Sequence, residues 1–302
     1  MAKGRTETVE KELAEIKAQL GHLQGEVQEI KARLEGSVVP VEEVLHRRGL
    51  AFRKANPTEN LLLPDDISPT KERQFYEQMK RYSFRIFLRE IITRRDLLES
   101  SRRRHFCSPE TEEEYVEFLL RCGVLRRRRQ GYELAKETVR SFGGTLEWFV
   151  AQVMEREFSC PALWGVKFDH LPVGGDYDVL SWLEGNLLYL ELKSSPPKHI
   201  ESSEVRSFLD RIEALGPNFA VMLVDTELRM RDKMVVLFEE QLGSDTQGPK
   251  AQPVRRIFGE TFLIPHQIYL TNSKPSLISN LARVFRWHLG HKGDRFTEVD
   301  DD

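Results

Sequence analysis

Four charged side chains stand where a strand pattern should be apolar. In Gly175-Asp176-Tyr177-Asp178-Val179-Leu180 two aspartates lie two residues apart, so an extended chain puts them on one face. In Leu187-Leu188-Tyr189-Leu190-Glu191-Leu192-Lys193 the glutamate and lysine share a face, and Leu190 and Leu192 take the other. Charges that close an apolar strand are costly to bury unless they are paired or hold a metal. A hairpin turning at Glu184-Gly185-Asn186 brings Asp178 beside Glu191. Two carboxylates and a backbone carbonyl form a hard oxygen site suited to Mg2+ or Mn2+. A lysine beside them can orient or help deprotonate an attacking water and stabilise charge on a phosphoryl group. Asp176 is a candidate to assist or replace Asp178. The alternative is a buried Glu191–Lys193–Asp178 salt-bridge cluster, which rarely offsets its own desolvation. Ser194-Ser195 could donate to a phosphate or make a turn, and His199 reads as an exposed loop histidine.

The elements that must position these groups are legible around them. Ser141–Phe158 reads as a helix with Leu146, Phe149, Val150 and Val153 on its apolar face. Strands follow at Ala162–Leu171, Asp176–Leu183 and Leu187–Lys193. An amphipathic helix, Ser202–Leu215, is stopped by Gly216-Pro217. Asn218–Asp225 is apolar through its middle and therefore reads as a central strand. A helix near Leu228–Leu242, strands near Phe262–Ile264 and Ile268–Leu270, and a helix Pro275–Leu289 close the chain. This order predicts an α/β fold, a mixed sheet flanked by helices.

Asp178, with Glu191-Leu192-Lys193 thirteen residues on, resembles the D…ExK signature of the PD-(D/E)XK, or restriction endonuclease-like, nuclease superfamily. The helix Gly143-Gly144-Thr145-Leu146-Glu147 is similar to the family helix that supplies a further acidic ligand, and Gly143–Ser195 is close in style to the nuclease module of CRISPR-linked endonucleases activated by cyclic oligoadenylates. No counterpart of their nucleotide-sensing domain is visible. Tyr177 stands where the family name has proline. The resemblance implies a metal-dependent endonuclease that hydrolyses phosphodiester bonds, with DNA expected ahead of RNA. It implies Asp178, Glu191 and Lys193 as catalytic residues, and Glu147, Asp178 and Glu191 as ligands of Mg2+ or Mn2+. A non-catalytic nucleic-acid-binding or regulatory scaffold on the same fold is the alternative.

Residues 71–140 carry 18 Lys/Arg against 12 Asp/Glu, a basic block in a chain whose net charge is −3. Such a block suggests a localised anion-binding surface. The pattern predicts a helix over roughly Phe75–Ile92 and a second, capped by Thr93, to about Ser100. A third, opened by Ser108-Pro109 or Thr111 and closed by Gly123, precedes a hairpin around Arg126–Arg129. That order resembles a winged helix-turn-helix domain. The third helix begins Glu110-Thr111-Glu112-Glu113-Glu114, which repels phosphates. Arg102, Arg103 and Arg104, with Arg126, Arg127, Arg128 and Arg129 on the wing, are therefore the expected nucleic-acid contacts, made to phosphates. A winged helix used for protein contacts is the other possibility.

Residues 37–70 hold Pro40, Pro57, Pro64 and Pro69 and read as a linker with one short helix around Val41–Arg48. Before Gly36, Val9, Leu13, Ile16, Leu20, Leu23, Val27, Ile30 and Leu34 form heptads over residues 9–34. With Leu13 at a, the g residues Glu12, Gln19 and Glu26 face the e residues Lys17, Gln24 and Lys31 of a partner. No pair is repulsive, so a coiled-coil homo-oligomer is expected, a parallel dimer first and a tetramer second. The domains expected are thus 1–36 coiled coil, 37–70 linker, 71–140 winged-helix-like and 141–302 nuclease-like. No apolar run spans a bilayer and no secretory signal is present, which predicts a cytoplasmic protein without membrane contact. Cys107, Cys122 and Cys160 read as reduced thiols, and the histidines lack zinc-ligand spacing.

Overall fold

The structure is a computed structural model and describes residues 16–17, 19–27, 39–94, 108–129, 131–243 and 252–291. Its centre is an eight-stranded sheet built from β1 (Phe52–Lys54), β4 (Ala162–Phe168), β5 (Tyr177–Leu183), β6 (Asn186–Lys193), β7 (Phe219–Val224), β8 (Arg255–Phe258), β9 (Thr261–Ile264) and β10 (Ile268–Asn272). Their order is β1-β4-β5-β6-β7-β10-β9-β8. The β6–β7 and β7–β10 pairs are parallel and the others antiparallel, so the expected mixed sheet is observed. All six residues of β7 are buried, as a strand paired in parallel on both sides and covered by helices must be. The edge strand β8 was not expected from the sequence. Its residues are exposed or half-buried, so it shows little apolar alternation.

One hydrophobic cluster covers each face of the sheet. On the first face α5 (Gly143–Phe158) and α8 (Leu277–Gly290) pack on Val179, Leu188, Leu190 and Leu192. On the second, α6 (Ser202–Leu215) and α7 (Val236–Leu242) cover Leu180, Leu187, Tyr189 and Met222. The alternation of β6 thus splits its residues between two cores, leaving Glu191 and Lys193 on the second face.

The segment before the sheet is more integrated than its sequence suggests. Residues 39–70, read as a linker, contain α1 (Val41–Arg47) and β1, which pairs antiparallel with β4. Leu61, Leu62 and Leu63 are buried, and the Leu62 N–H donates to Thr145 Oγ1 at 3.1 Å. The single helix expected over Phe75–Ile92 is instead two, α2 (Pro69–Met79) and α3 (Tyr82–Thr93). Arg81 is extended between them, and the Arg85 guanidinium caps α2 by donating to the Met79 and Lys80 carbonyls at 2.7 and 3.2 Å. α4 (Pro109–Cys122) starts at the Ser108 cap and ends at Gly123 in the left-handed region, as its sequence signals require. β2 (Leu125–Arg127) and β3 (Tyr132–Leu134) form the hairpin that follows. Phe75, Phe84, Phe118 and Trp148 pack ring to ring, so α2–α4 and α5 share one core.

Residues 16–17 and 19–27 are helical, and Ile16, Leu20, Leu23 and Val27 stand exposed along them. The other heptad positions lie outside the described residues, as do Arg102–Arg104, Cys107 and the helix expected to run to Ser100. Cys122 and Cys160 are buried free thiols. No helix among the described residues is long and apolar enough to cross a membrane.

Candidate functional site

The site is built on the β5–β6 hairpin. Its register, Val179 opposite Leu190 and Leu180 opposite Tyr189, continues to set Asp178 across from Glu191. Asp178 Oδ2 accepts from the Leu192 N–H at 2.7 Å. Glu191 is buried and its oxygens are crowded. Lys193 Nζ lies 3.0 Å from Oε1, Arg211 Nη1 donates to Oε1 and Oε2 at 3.3 and 3.1 Å, and the Tyr189 hydroxyl donates to Oε2. Burial and the Glu191 charge push the Tyr189 phenol well above its ordinary pKa, so it stays a donor. Lys193 is also held by Glu204 of α6 at 2.9 Å. Burial pulls its pKa down, but Glu191 and Glu204 outweigh that and leave it raised and cationic.

Glu147, one turn into α5, faces the same region. It makes no hydrogen bond or ion pair among the described residues. Burial, then the Asp176 and Glu191 charges, pushes its pKa up to about 7. Asp178 is raised well above the carboxylate range by burial and by Glu191 and Glu147, which outweigh the Leu192 N–H and Lys193. Gly165 of β4, whose φ is +56°, lies between Glu147 and Pro57. A Cβ there would meet Pro57 at 2.6 Å and Glu147 Oε2 at 3.4 Å. Asp176 turns away to an ion pair with Lys167 at 3.1 Å.

The three carboxylates and the lysine predicted from sequence are therefore brought into one electrostatically coupled group. Their donor chemistry fits a divalent cation: Glu147 and Asp178 are buried carboxyls that form no ion pair among the described residues, and a bound cation would offset the burial and mutual repulsion that raise their pKa. Among the described residues, however, no three His, Cys, Asp or Glu side chains stand close enough together to hold a metal ion. Glu191 is turned into its ion pairs with Lys193 and Arg211.

Arg211 and a second network were missed from the sequence. Arg211 lies on the stripe of α6 marked by Phe208 and Leu215, and a charge on an apolar face was the available signal. The second network centres on Asp225, which follows β7 and is fully buried. Arg85 (1% exposed) meets it with two nitrogens at 2.8–3.1 Å, Arg89 at 3.0 Å, and the Ser273 hydroxyl at 2.6 Å. Burial would raise the Asp225 carboxyl, but Arg85, Arg89 and Ser273 hold it below the usual range. The Asp225 N–H donates to the Lys193 carbonyl at 2.8 Å, and Arg89 donates to the Ser194 carbonyl. The helical segment thereby grips the chain immediately after Lys193.

The β2–β3 hairpin is less basic than its sequence suggests. Arg126 pairs with Glu133 and, at 2.7 Å, with Glu137; Arg128 pairs with Glu133 as well. Arg127 lies over the Tyr132 ring, and neither it nor Arg129 forms an ion pair among the described residues. His199 is exposed, as expected of a loop histidine.

No family model matches the chain, and no curated protein matches it. Solved structures to which the chain is similar include two at low identity. Protein VC1899 from Vibrio cholerae is 14% identical with a TM-score of 0.43, and 75% of this chain aligns to 58% of that one. Can2 from Sulfobacillus thermosulfidooxidans, in complex with cyclic tetra-adenylate, is 12% identical with a TM-score of 0.45, and 72% of this chain aligns to 57% of that one. The chain thus spans less than two thirds of the length of either. Likenesses of this degree carry nothing about activity.

Proposed function

We propose that the chain is a metal-dependent nuclease of the PD-(D/E)XK kind, acting on DNA ahead of RNA. The observation that carries this reading is the cluster of Glu147, Asp178 and Glu191 with Lys193 at the open end of the β5–β6 hairpin, where the Glu147 and Asp178 carboxyls form no ion pair among the described residues. Asp178, Glu191 and Glu147 are the residues that would hold Mg2+ or Mn2+, once Glu191 turned from its ion pairs with Lys193 and Arg211 and the three carboxylates converged. When bound, such an ion supplies Lewis acidity and neutralises phosphoryl charge. Lys193, kept cationic by Glu191 and Glu204, places a positive charge where a phosphate oxygen would lie. Arg89 and the Asp225 N–H hold the Lys193–Ser194 backbone, so that ammonium is presented from a fixed strand end. The winged-helix-like segment would bring substrate phosphates through Arg127 and Arg129, and the N-terminal heptads would pair two chains.

A second reading has its own support. Lys193, Arg211 and Tyr189 already satisfy Glu191, which suits a nuclease-like scaffold that does not cut. One experiment separates the two. Purified protein is incubated with plasmid, single-stranded DNA and RNA in Mg2+, Mn2+ or EDTA, beside Asp178→Asn and Lys193→Ala. Metal-dependent cleavage lost in both variants supports the nuclease. No cleavage under any condition, together with no Mn2+ binding by calorimetry, selects the scaffold.

A further inference from the structure

The far end of the sheet carries a second concentration of positive charge, built differently from the wing. β8 is its edge strand, and Arg255 and Arg256 on it are exposed. α8 packs its apolar side, with Leu281, Val284 and Phe285, into the core and leaves Arg283 and Arg286 in solvent. The two elements are stitched by ring contacts. The Arg255 guanidinium lies 5.3 Å from the Trp287 ring centre, the Arg283 guanidinium 4.0 Å from that of Phe258, and His291 stacks on Trp287 at 4.1 Å. Arg286, one turn from Arg283, shares its side of the helix. Arg256 is tied to Glu260 at 3.0 Å, whereas Arg255, Arg283 and Arg286 form no ion pair among the described residues.

We propose that this β8–α8 face binds the phosphate backbone of a nucleic acid. Three guanidiniums that form no ion pair among the described residues stand on adjoining elements, and an aromatic ring pins each of two of them. A cation held over a ring loses less freedom when it meets a phosphate, and guanidinium is suited to bidentate phosphate contact. Charges on an edge strand also discourage strand addition. That explanation covers Arg255 and Arg256 but not Arg283 and Arg286, which lie on a helix. The face is distinct from the carboxylate site. Four strand spacings separate β8 from β6, about 19 Å, and α8 covers the opposite side of the sheet from Tyr189 and α6. Binding here goes beyond the nuclease reading and does not require that the chain cut anything.

The test is fluorescence anisotropy with the full chain in EDTA. The probes are labelled single-stranded DNA, its duplex, and single-stranded RNA of the same sequence, each at several salt concentrations. At least one probe should bind, and the tightest identifies the form recognised. The triple variant R255A/R283A/R286A should weaken that complex about tenfold or more. It should also lower the slope of log affinity against log salt by about 2 to 3, because each lost phosphate contact removes about 0.7 to 0.9. Arg286→Glu, at an exposed residue with no hydrogen bond, ion pair or ring contact among the described residues, should act in the same direction and guards against a folding defect in the triple variant. Unchanged affinity and slope in both variants overturns the proposal, as does a wild-type chain that binds none of the probes. Because no metal is present, these outcomes are independent of whether cleavage is ever observed.

Discussion

Glu147 and Asp178 are the residues whose environment most disfavours their charge. Both are raised by burial and by neighbouring carboxylates, Glu147 from 4.5 to about 7. A carboxyl raised in the folded state binds its proton more tightly there than when unfolded. Its contribution to stability is complete below about pH 4.5 and lost as pH rises through about 7. For Glu147 the loss is on the order of 3 kcal/mol, with Asp178 acting in the same direction. Metal-free protein should therefore melt at lower temperature at pH 7.5 than at pH 5, and Glu147→Gln should flatten that decline in a series of calorimetric scans. A wild-type melting temperature that rises steadily over the range contradicts the coupled cluster. Arg211 gives the complementary prediction. Its guanidinium donates to both Glu191 oxygens and would compete with a metal ion for them. Arg211→Ala should lower metal-free stability by about 1–3 kcal/mol and tighten Mn2+ binding in calorimetric titration. Equal Mn2+ affinity in the variant and wild type means that Glu191 is not a ligand.

At the scale of elements, α3 and the ends of β6, β7 and β10 are locked together through Asp225. Breaking a fully buried ion pair strands a charge, at a cost of about 3–5 kcal/mol. Arg85→Ala should lose that much in urea unfolding, whereas Arg85→Ala with Asp225→Ala should lose less than the sum of the two single changes. Strict additivity in this double-mutant cycle would show that the pair is not coupled. The wing supports a smaller expectation. Glu133 and Glu137 already engage Arg126 and Arg128, so only Arg127 and Arg129 are available to phosphates. Replacing Arg126–Arg129 by alanine should lower the salt slope of duplex DNA binding by about 2 rather than about 4. An unchanged slope would turn this hairpin toward protein contacts.

On the scale of the whole molecule, the exposed Ile16, Leu20, Leu23 and Val27 leave an apolar stripe without a partner among the described residues. A second copy of the helix, in register, would cover it and match Glu12 with Lys17 and Glu26 with Lys31. The full chain should scatter light as a dimer or larger species at micromolar concentration, and deletion of residues 1–36 should reduce it to one chain. A monomeric full-length protein ends this reading. Because α2–α4 and α5 share one core, those helices and the sheet should unfold together.

The sequence by itself determined what depends on local period and composition. The twofold alternation of Leu187–Lys193 put Glu191 and Lys193 on one face, the Glu184-Gly185-Asn186 turn set Asp178 opposite Glu191, and Gly123 and Gly216 ended helices where they stand in the structure. The helix break at Lys80-Arg81 was not legible, because the α2 carbonyls there are satisfied by Arg85, whose other partner is Asp225 at 140 residues' remove. β1 and β8 are short edge strands whose pairing partners, rather than their own residues, make them strands. Arg211 on Glu191, Glu133 on the wing arginines and Trp287 under Arg255 are likewise choices among partners. Which charge is neutralised and which left free depends on distances that only the packed chain sets, since a Coulomb interaction follows separation in space and not along the sequence.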